Sequence, residues 1–256
     1  MRRIVPKQAV GAIEHSASLS LSANHEAMQD RPPMRTSTSL KTPRAAATAG
    51  LLFSVLLIAI FVLLRISVPA DPQESGAWLT SHANLVTWAV NLFPFTAIAF
   101  LWFIGVLRDR IGQAEDRFFS TVFFGSGLLF LGMLLVLAAF TSGIMGAFEA
   151  HPSLMIDSAV FYFARSSIYN IANVYMAKMA GVFMMTTSMV AIYTGIAPRW
   201  LAIIGFILAP MLLFASYYSA WIFLVFPIWV MLISVSVLNE NLDQARPGIR
   251  PSGSGE

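Results

Sequence analysis

The chain has 256 residues, of which 57% are hydrophobic, 11% are charged and none is cysteine. This composition excludes an ordinary soluble globular domain, and the lack of cysteine excludes disulfides, thiolate zinc sites and cysteine nucleophiles. The formal net charge of +3 comes mainly from residues 1–44, so it bears on membrane orientation rather than on a basic folded surface.

Residues 1–44 are rich in Ser, Thr, Pro and charged side chains and show no hydrophobic periodicity. Such a segment cannot bury enough apolar area to fold alone, so we predict a disordered cytoplasmic tail. Met34 opens a basic stretch directly ahead of the first apolar run. A translation start at Met34 is therefore an alternative to a start at Met1.

Six long apolar runs follow this tail. About 20 apolar residues, rising about 1.5 Å each, cross a hydrocarbon core of about 30 Å. We therefore predict an all-α, polytopic membrane protein with a six-transmembrane-helix bundle in residues 45–238 and a flexible cytoplasmic tail in 239–256. The predicted spans are 45–64, 85–107, 118–146, 171–197, 200–216 and 219–238.

The basic residues predict the orientation, because Lys and Arg concentrate on the cytoplasmic side of membrane proteins. If the amino terminus is inside, six spans return the carboxyl terminus to the same side. Only Arg65, Arg165 and Lys178 of the 16 basic residues then lie elsewhere. We therefore predict that both termini are cytoplasmic.

The segment 154–169 is apolar enough to resemble a seventh crossing. Asp157 and Arg165 would each cost about 2.5–3.5 kcal/mol at a helix centre, so we exclude a crossing here. The two charges lie about two helical turns apart and would share a face of a helix in the outer interface. An ordered external loop is the alternative.

One ionisable residue, Lys178, falls within a predicted span, and an intramembrane charge is a functional candidate by default. The candidate polar intramembrane site comprises Lys178, Asn170, Asn173 and Thr186, and it would suit an anion or a small polar solute. The alternative is a lysine that snorkels to the interface or bonds within its own helix.

Prolines interrupt three predicted spans, at Pro94, Pro210 and Pro227. Each frees a backbone carbonyl, so all three are helix-break candidates. Pro94 and Pro210 fall in corresponding helices of two three-helix halves, an arrangement that transporters with inverted repeats share. The two halves show no side-chain similarity that supports a repeat.

No metal or cofactor is expected. The acidic and imidazole groups of Glu149, His151 and Asp157 could bind a divalent cation, but an exposed loop explains them equally well. Methionines of the fourth span could bind Cu(I), although methionine also fills packing gaps.

Two further patterns concern partners and interfaces. Small residues four apart favour close helix packing, either within the chain or in a homo-oligomer. Tryptophans near predicted helix ends are typical of the aromatic belts at membrane surfaces. The small pairs are Thr121/Gly125, Ala177/Gly181 and Gly205/Ala209, and the tryptophans are Trp78, Trp102, Trp200 and Trp221.

The chain resembles a group of bacterial multi-pass membrane proteins with no assigned function. Three stretches carry the resemblance: LRDRIGQAEDRFFSTVFFGSGLLFL from Leu107, APRWLAIIGFIL from Ala197 and WIFLVFPIWVMLISV from Trp221. It covers the second to the sixth predicted helix and leaves out residues 1–44. It implies a protein of the bacterial plasma (inner) membrane and transfers no catalytic residue.

The predicted spans contain no His, Asp, Glu or Cys placed with a partner, so we expect no enzyme. The basic tail lacks a module that binds nucleic acid. The expected function is that of a non-enzymatic integral membrane protein acting through contacts with lipid or other membrane proteins. The alternative is a transporter or channel for a small solute or ion, with its polar site near Lys178.

Overall fold

The computed structural model describes residues 42–69, 71, 73–111, 117–195, 197–216 and 219–244. Within these ranges every regular element is helical, which confirms the predicted all-α class. Most of the predicted amino-terminal tail lies outside the described residues, as does the chain beyond residue 244. The helices are α1 (Thr42–Ser67), α2 (Leu79–Ile111), α3 (Arg117–Ala150), α4 (Pro152–Met155), α5 (Ala159–Asn170), α6 (Ala177–Thr194), α7 (Arg199–Pro210) and α8 (Val225–Gln244).

Short helical turns of other kinds extend or join these helices. A 3₁₀-helix at Gly76–Trp78 leads into α2, and another at Ala220–Leu224 leads into α8. A π-helix at Ile171–Met176 joins α5 to α6, and a second at Met211–Ala215 extends α7.

Five helices of the described chain are long and apolar enough to cross a membrane, judged by length and composition. The stretch Arg199–Ala215 is apolar but shorter. The protein thus has the long apolar helices of a membrane-embedded bundle. The five long stretches are Ala47–Ser67, Gly76–Arg108, Phe118–Ala150, Ala159–Thr194 and Trp221–Asn239.

The fourth long stretch begins at Ala159 rather than near residue 171. The helix α5 continues through the π-helical turn into α6 instead of forming a separate element. The free-energy cost that argued against a crossing here applies to an arginine facing lipid. Arg165 instead is buried and hydrogen-bonded within the protein. Asp157 lies before the helix, because Ser158 caps it by accepting a hydrogen bond from the Phe161 N–H at 3.1 Å.

The helices pack in a defined order. α1 lies against α2 and α8, α3 lies against α2 and α6, and α6 lies against α7. Near the end of α1, the Phe61 ring lies 5.6 Å from the Trp221 ring, which directly precedes α8. Closer to the start of α1, Gly50 faces Ser234, which lies in the middle of α8. α1 and α8 are therefore antiparallel, and α7 connects the end of α6 to the opposite end of the bundle.

Five phenylalanines, one from each of five helices, meet at the centre of the bundle. We call them the phenylalanine cluster, and none of the five is measurably exposed. Phe100 is central: its ring centroid lies 4.5 Å from Phe53, 4.8 Å from Phe130 and 5.4 Å from Phe183. Tilted and edge-on ring pairs at such distances are favourable beyond the area they bury. The cluster comprises Phe53 (α1), Phe100 (α2), Phe130 (α3), Phe183 (α6) and Phe226 (α8).

Two glycines permit the closest helix contacts. A Cβ at Gly50 would clash with Ser234 and Phe103, and a Cβ at Gly205 would clash with Ser188 and Trp229. In lipid, such close backbone approach supplies much of the association energy between helices. Two of the small pairs also meet within the chain, because Gly181 of α6 lies against the Ala209 carbonyl of α7.

The outer surface of the bundle is also apolar. Large hydrophobic side chains remain exposed on every long helix, whereas a soluble helical protein would present polar residues there. This pattern fits a surface in contact with lipid. Examples are Leu52 and Val55 on α1, Phe95 and Trp102 on α2, Leu129 and Val136 on α3, Tyr193 on α6, and Ile228 on α8.

Replacing Phe100 with alanine should lower the free energy of unfolding by about 3–5 kcal/mol, because it opens a hole among the rings. Thermal unfolding in detergent measures this loss. The matched control is Phe95→Ala on the same helix, where the side chain is 63% exposed and little change is expected. Equal effects of the two substitutions would show that the phenylalanine cluster does not hold the bundle together.

Candidate functional site

A cavity of about 200 Å³ opens at one end of the bundle, between α1, α2, α3 and the α5 segment. A single water molecule needs only about 10–15 Å³ on this scale, so the space suits a larger occupant. Most of its walls are aliphatic or aromatic. The apolar lining comprises Phe61, Leu64, Val68, Pro69, Leu79, Val86, Leu137, Ile144, Met145, Phe161, Ile168 and Ala172. We call it the Arg165 cavity after its most buried charge.

Arg165 reaches this cavity because of where α5 begins. Ser158 fixes the first turn, which places Phe161 and Arg165 one turn apart on the same helix face. Both side chains are buried: Phe161 is fully enclosed and Arg165 is only 7% exposed. Pro69, Asp71 and Trp78, from the segment that joins α1 to α2, lie beside this face.

The guanidinium of Arg165 is only partly satisfied by the protein. Its Nη2 donates hydrogen bonds of 2.8 Å to the carbonyl oxygens of Pro69 and Asp71. The Nε and Nη1 atoms are buried and have no hydrogen-bond partner among the residues that the structure describes. A buried N–H without a partner costs about 1–3 kcal/mol, and more when it is charged. These donors therefore favour an occupant that accepts hydrogen bonds.

Trp78 lies against the same guanidinium. The Cζ atom of Arg165 is 5.3 Å from the centre of the Trp78 ring, which is a cation–π contact. The indole Nε1 is buried and also has no partner in the described part of the chain. Two adjacent side chains of the Arg165 cavity thus present unused donors. Trp78 had been expected in an aromatic belt, whereas Trp102, Trp200 and Trp221 are more than half exposed.

A backbone hydrogen bond ties the two chain segments that flank the cavity. The Gly76 N–H donates to the Ile156 carbonyl at 2.9 Å, so the turn before α2 is joined to the turn before α5. A side chain at Gly76 would press on the Ile156 oxygen and the Phe161 ring. The absence of a Cβ at this position permits the contact that holds Trp78 over Arg165.

Other charged side chains lie near Arg165, but none of the described ones accepts a hydrogen bond from its Nε or Nη1. Asp71 and Glu74 are exposed, and their carboxylates attract the Arg165 charge. A second cation, Arg65, lines the cavity with its guanidinium 5.5 Å from the centre of the Trp221 ring. Polar groups of Thr141, Tyr169 and Asn173 also contribute to the lining.

The four residues of the predicted polar site do not share one cavity. Lys178 and Asn170 are exposed on the outside of the bundle. Asn173 lines the Arg165 cavity and donates to the Tyr169 carbonyl, and Thr186 is buried with its hydroxyl donating to the Val182 carbonyl. Asn170 and Thr186 also lie about 24 Å apart along their helix at about 1.5 Å per residue.

The three prolines have different surroundings. Pro94 lies on an exposed face of α2, which continues as a helix on both sides of it. Pro210 ends α7 where the π-helix Met211–Ala215 begins. Pro227 is buried in the first turn of α8, just after the 3₁₀-helix Ala220–Leu224, and the helix continues beyond it.

Among the residues that the structure describes, no group of three acidic or histidine side chains is placed to hold a metal ion. Glu149, His151 and Asp157 are exposed, and Asp157 accepts a hydrogen bond from the Tyr162 hydroxyl at 3.4 Å. Asp157 and Arg165 do not share a helix face, contrary to expectation, because the helix begins only at Ala159.

Sequence reasoning missed Arg165 as a site residue and treated it as an interfacial charge. One signal was present: Phe161, Arg165 and Ile168 recur at helical spacing, as residues on the buried face of a helix do. The partners of the guanidinium could not be found in this way, because they are main-chain carbonyls of a distant segment.

The fold and the cavity together define a class: an all-helical, membrane-embedded bundle with a buried cation facing an apolar cavity. A scan against protein-family models and searches of curated proteins and solved structures give no match to the chain.

Replacing Arg165 with glutamine should loosen the segment 68–78, because the charged hydrogen bonds to Pro69 and Asp71 are lost. Charge-assisted bonds of this kind contribute about 1.5–3 kcal/mol, so amide exchange from residues 73–79 should accelerate about tenfold or more. Hydrogen exchange read by mass spectrometry measures it. Arg199→Gln, at an exposed arginine of α7, should leave these peptides as protected as in the parent chain.

Proposed function

We propose that this protein is a non-enzymatic integral membrane protein that acts through contact with lipid and holds an apolar chain from the bilayer in the Arg165 cavity. The supporting observation is the cavity itself: about 200 Å³ with mainly aliphatic and aromatic walls. Binding sites for small molecules are commonly concave and apolar, with a few polar groups that fix orientation. Arg165 and Trp78 are those polar groups here.

We further propose six crossings with both termini in the cytoplasm. Arg199–Ala215 spans about 25 Å at about 1.5 Å per residue, which is at the short end of crossing helices. Its connections support a crossing, since α6 ends at one end of the bundle and Trp221 contacts Phe61 at the other. The distribution of Lys and Arg supports the cytoplasmic side for the termini. The resemblance in three stretches supports the bacterial plasma membrane.

Transport past a polar site near Lys178 is the alternative function. Such transport requires one solute pathway through the bundle that is lined by Lys178, Asn170, Asn173 and Thr186. The exposure of Lys178 on the bundle surface suits a lysine that snorkels to the interface instead. The amides of Asn170 and Asn173 donate to carbonyls of their own helix. We therefore favour lipid binding over transport.

The crossing of α7 is testable with single cysteines, because the chain has none of its own. We expect Gln73→Cys and Ser219→Cys to react with a membrane-impermeant maleimide in intact cells. Arg199→Cys should react only after the cells are permeabilised. The unsubstituted chain is the control for background labelling. If Ser219→Cys and Arg199→Cys react from the same side, α7 does not cross the membrane.

Filling the Arg165 cavity should abolish lipid binding. Val86 is buried in its wall, and Val86→Phe places a ring in the space that a chain would occupy. We expect at least about a tenfold loss in the retention of hexadecanol, a long-chain alcohol, measured by native mass spectrometry of the purified protein. Val136→Phe is the matched control, since Val136 is exposed on α3. Equal retention by both variants would contradict the proposed site.

A further inference from the structure

We propose that the occupant of the Arg165 cavity is an anionic amphiphile whose carboxylate or phosphate oxygens bind Arg165 and Trp78 while its apolar chain fills the rest of the cavity. This inference rests on the proposed lipid binding and adds the chemistry of the head group. It assigns the two side chains a role in selecting charge, which a cavity for neutral chains would not need.

The first argument is the hydrogen-bonding capacity of Arg165. A guanidinium carries five N–H donors, accepts no hydrogen bond and stays protonated in proteins. Nη2 donates to two main-chain carbonyls, and the donors on Nε and Nη1 have no acceptor among the described residues. An oxyanion offers several acceptor lone pairs, and its bonds to a guanidinium are stronger than bonds between neutral groups.

The second argument is the balance of charge. A buried cation is stabilised when an opposite charge lies beside it, and removing such a partner is costly. The hydrogen bonds of Arg165 go to neutral carbonyls, while Asp71 and Glu74 are exposed to solvent. Arg65 adds a second positive charge to the same lining. Asp71 and Glu74 attract the Arg165 charge but make no hydrogen bond to it among the described contacts. An anion in the cavity would therefore supply the hydrogen-bonded opposite charge that Arg165 lacks.

The third argument is the donor on Trp78. Its indole N–H is buried with no partner in the residues that the structure describes, and its ring lies over the Arg165 guanidinium. A neutral alcohol could accept from this one group, but it would leave the charged donors of Arg165 unmatched. A carboxylate or phosphate has enough oxygens to accept from both side chains.

The rest of the cavity requires an apolar tail. Below the two polar groups the walls are formed by Leu79, Val86, Leu137, Ile144 and Met145. An inorganic anion would leave this lining unused. A single amphiphile, with its head at Arg165 and its chain along these residues, matches both parts of the cavity.

The test compares four probes on the purified full chain in detergent at neutral pH, with binding followed by native mass spectrometry. The probes are palmitate, a lysophosphatidic acid with one acyl chain, hexadecanol and inorganic phosphate. We expect one or both of the charged amphiphiles to bind about tenfold or more tightly than hexadecanol. The tighter of the two identifies a carboxylate or a phosphate as the source of the anion.

Other results would overturn the inference. Equal binding of palmitate, lysophosphatidic acid and hexadecanol would remove the head-group selection but leave lipid binding in place. Binding of inorganic phosphate as tight as that of the amphiphiles would show that the chain is not recognised. If no chain-bearing probe binds, the proposed function and this inference both fail.

Substitution of Arg165 tests whether this side chain selects the charged head group. In Arg165→Gln we expect the preference for charged over neutral chains to fall at least about tenfold while hexadecanol still binds. The ratio within one variant corrects for any general loosening of the site. Arg199→Gln should keep the preference of the parent chain. An unchanged preference in folded Arg165→Gln would overturn the assignment.

If Arg165→Gln does not fold, Trp78→Phe carries the test. This substitution keeps a ring over the guanidinium and removes the indole N–H. We expect the preference for charged chains to fall about threefold to tenfold, in line with the loss of one hydrogen bond to a charged group. A folded Trp78→Phe protein with the full preference would exclude Trp78 from the head-group site and overturn the proposed pairing.

Discussion

The meeting of five phenylalanine rings at the centre of the bundle is the contact on which the arrangement of helices depends. Each ring comes from a different helix, and Phe100 contacts four of them, so α1, α2, α3, α6 and α8 are held around one point. In a membrane the driving force for helix association is close packing rather than the exclusion of water. Interlocking rings supply such packing, and the glycines at Gly50 and Gly205 let the helices approach closely enough for the rings to meet.

The Arg165 cavity lies away from this centre, beside the segment that joins α1 to α2. The five rings are fully buried, whereas the cavity is an open space lined by aliphatic side chains such as Val86 and Leu137 together with aromatic ones such as Phe61 and Phe161. A charged side chain enters there from α5 and takes its main-chain partners from residues that lie outside any long helix. Among the described residues, Arg165 is thus the buried charge, and it lies at one end of the bundle.

Much of the fold followed from the sequence because the length of an apolar run decides whether a helix can cross a bilayer. The runs that contain Phe53, Phe100, Phe130 and Phe226 lie in helices, as the length of each run predicted. Which face of each helix is buried could not be predicted, since both faces are apolar and the burial pattern depends on neighbours. For the same reason the sequence could not indicate which of the aromatic residues form the phenylalanine cluster.

The candidate site was harder to predict than the fold. A polar site was predicted at Lys178 because a charge in lipid has a high free energy. Lys178, however, lies on the surface of the bundle. Arg165 was assigned to the membrane interface by the same cost argument. That argument fails when a distant backbone supplies acceptors, as Pro69 and Asp71 do. Trp78 was likewise predicted to anchor the chain at the membrane interface, whereas its ring lies over the Arg165 guanidinium.

The bonds that Arg165 makes join positions 96 and 94 residues apart in the chain. A ribosome delivers α1 and α2 to the membrane well before α5 exists, so the segment between the first two helices cannot reach its final conformation when it is made. That segment can reach its final conformation only after α5 is made. The phenylalanine cluster is completed later still, because Phe183 and Phe226 follow α5 in the chain, so the two contacts become possible in a fixed order during biogenesis.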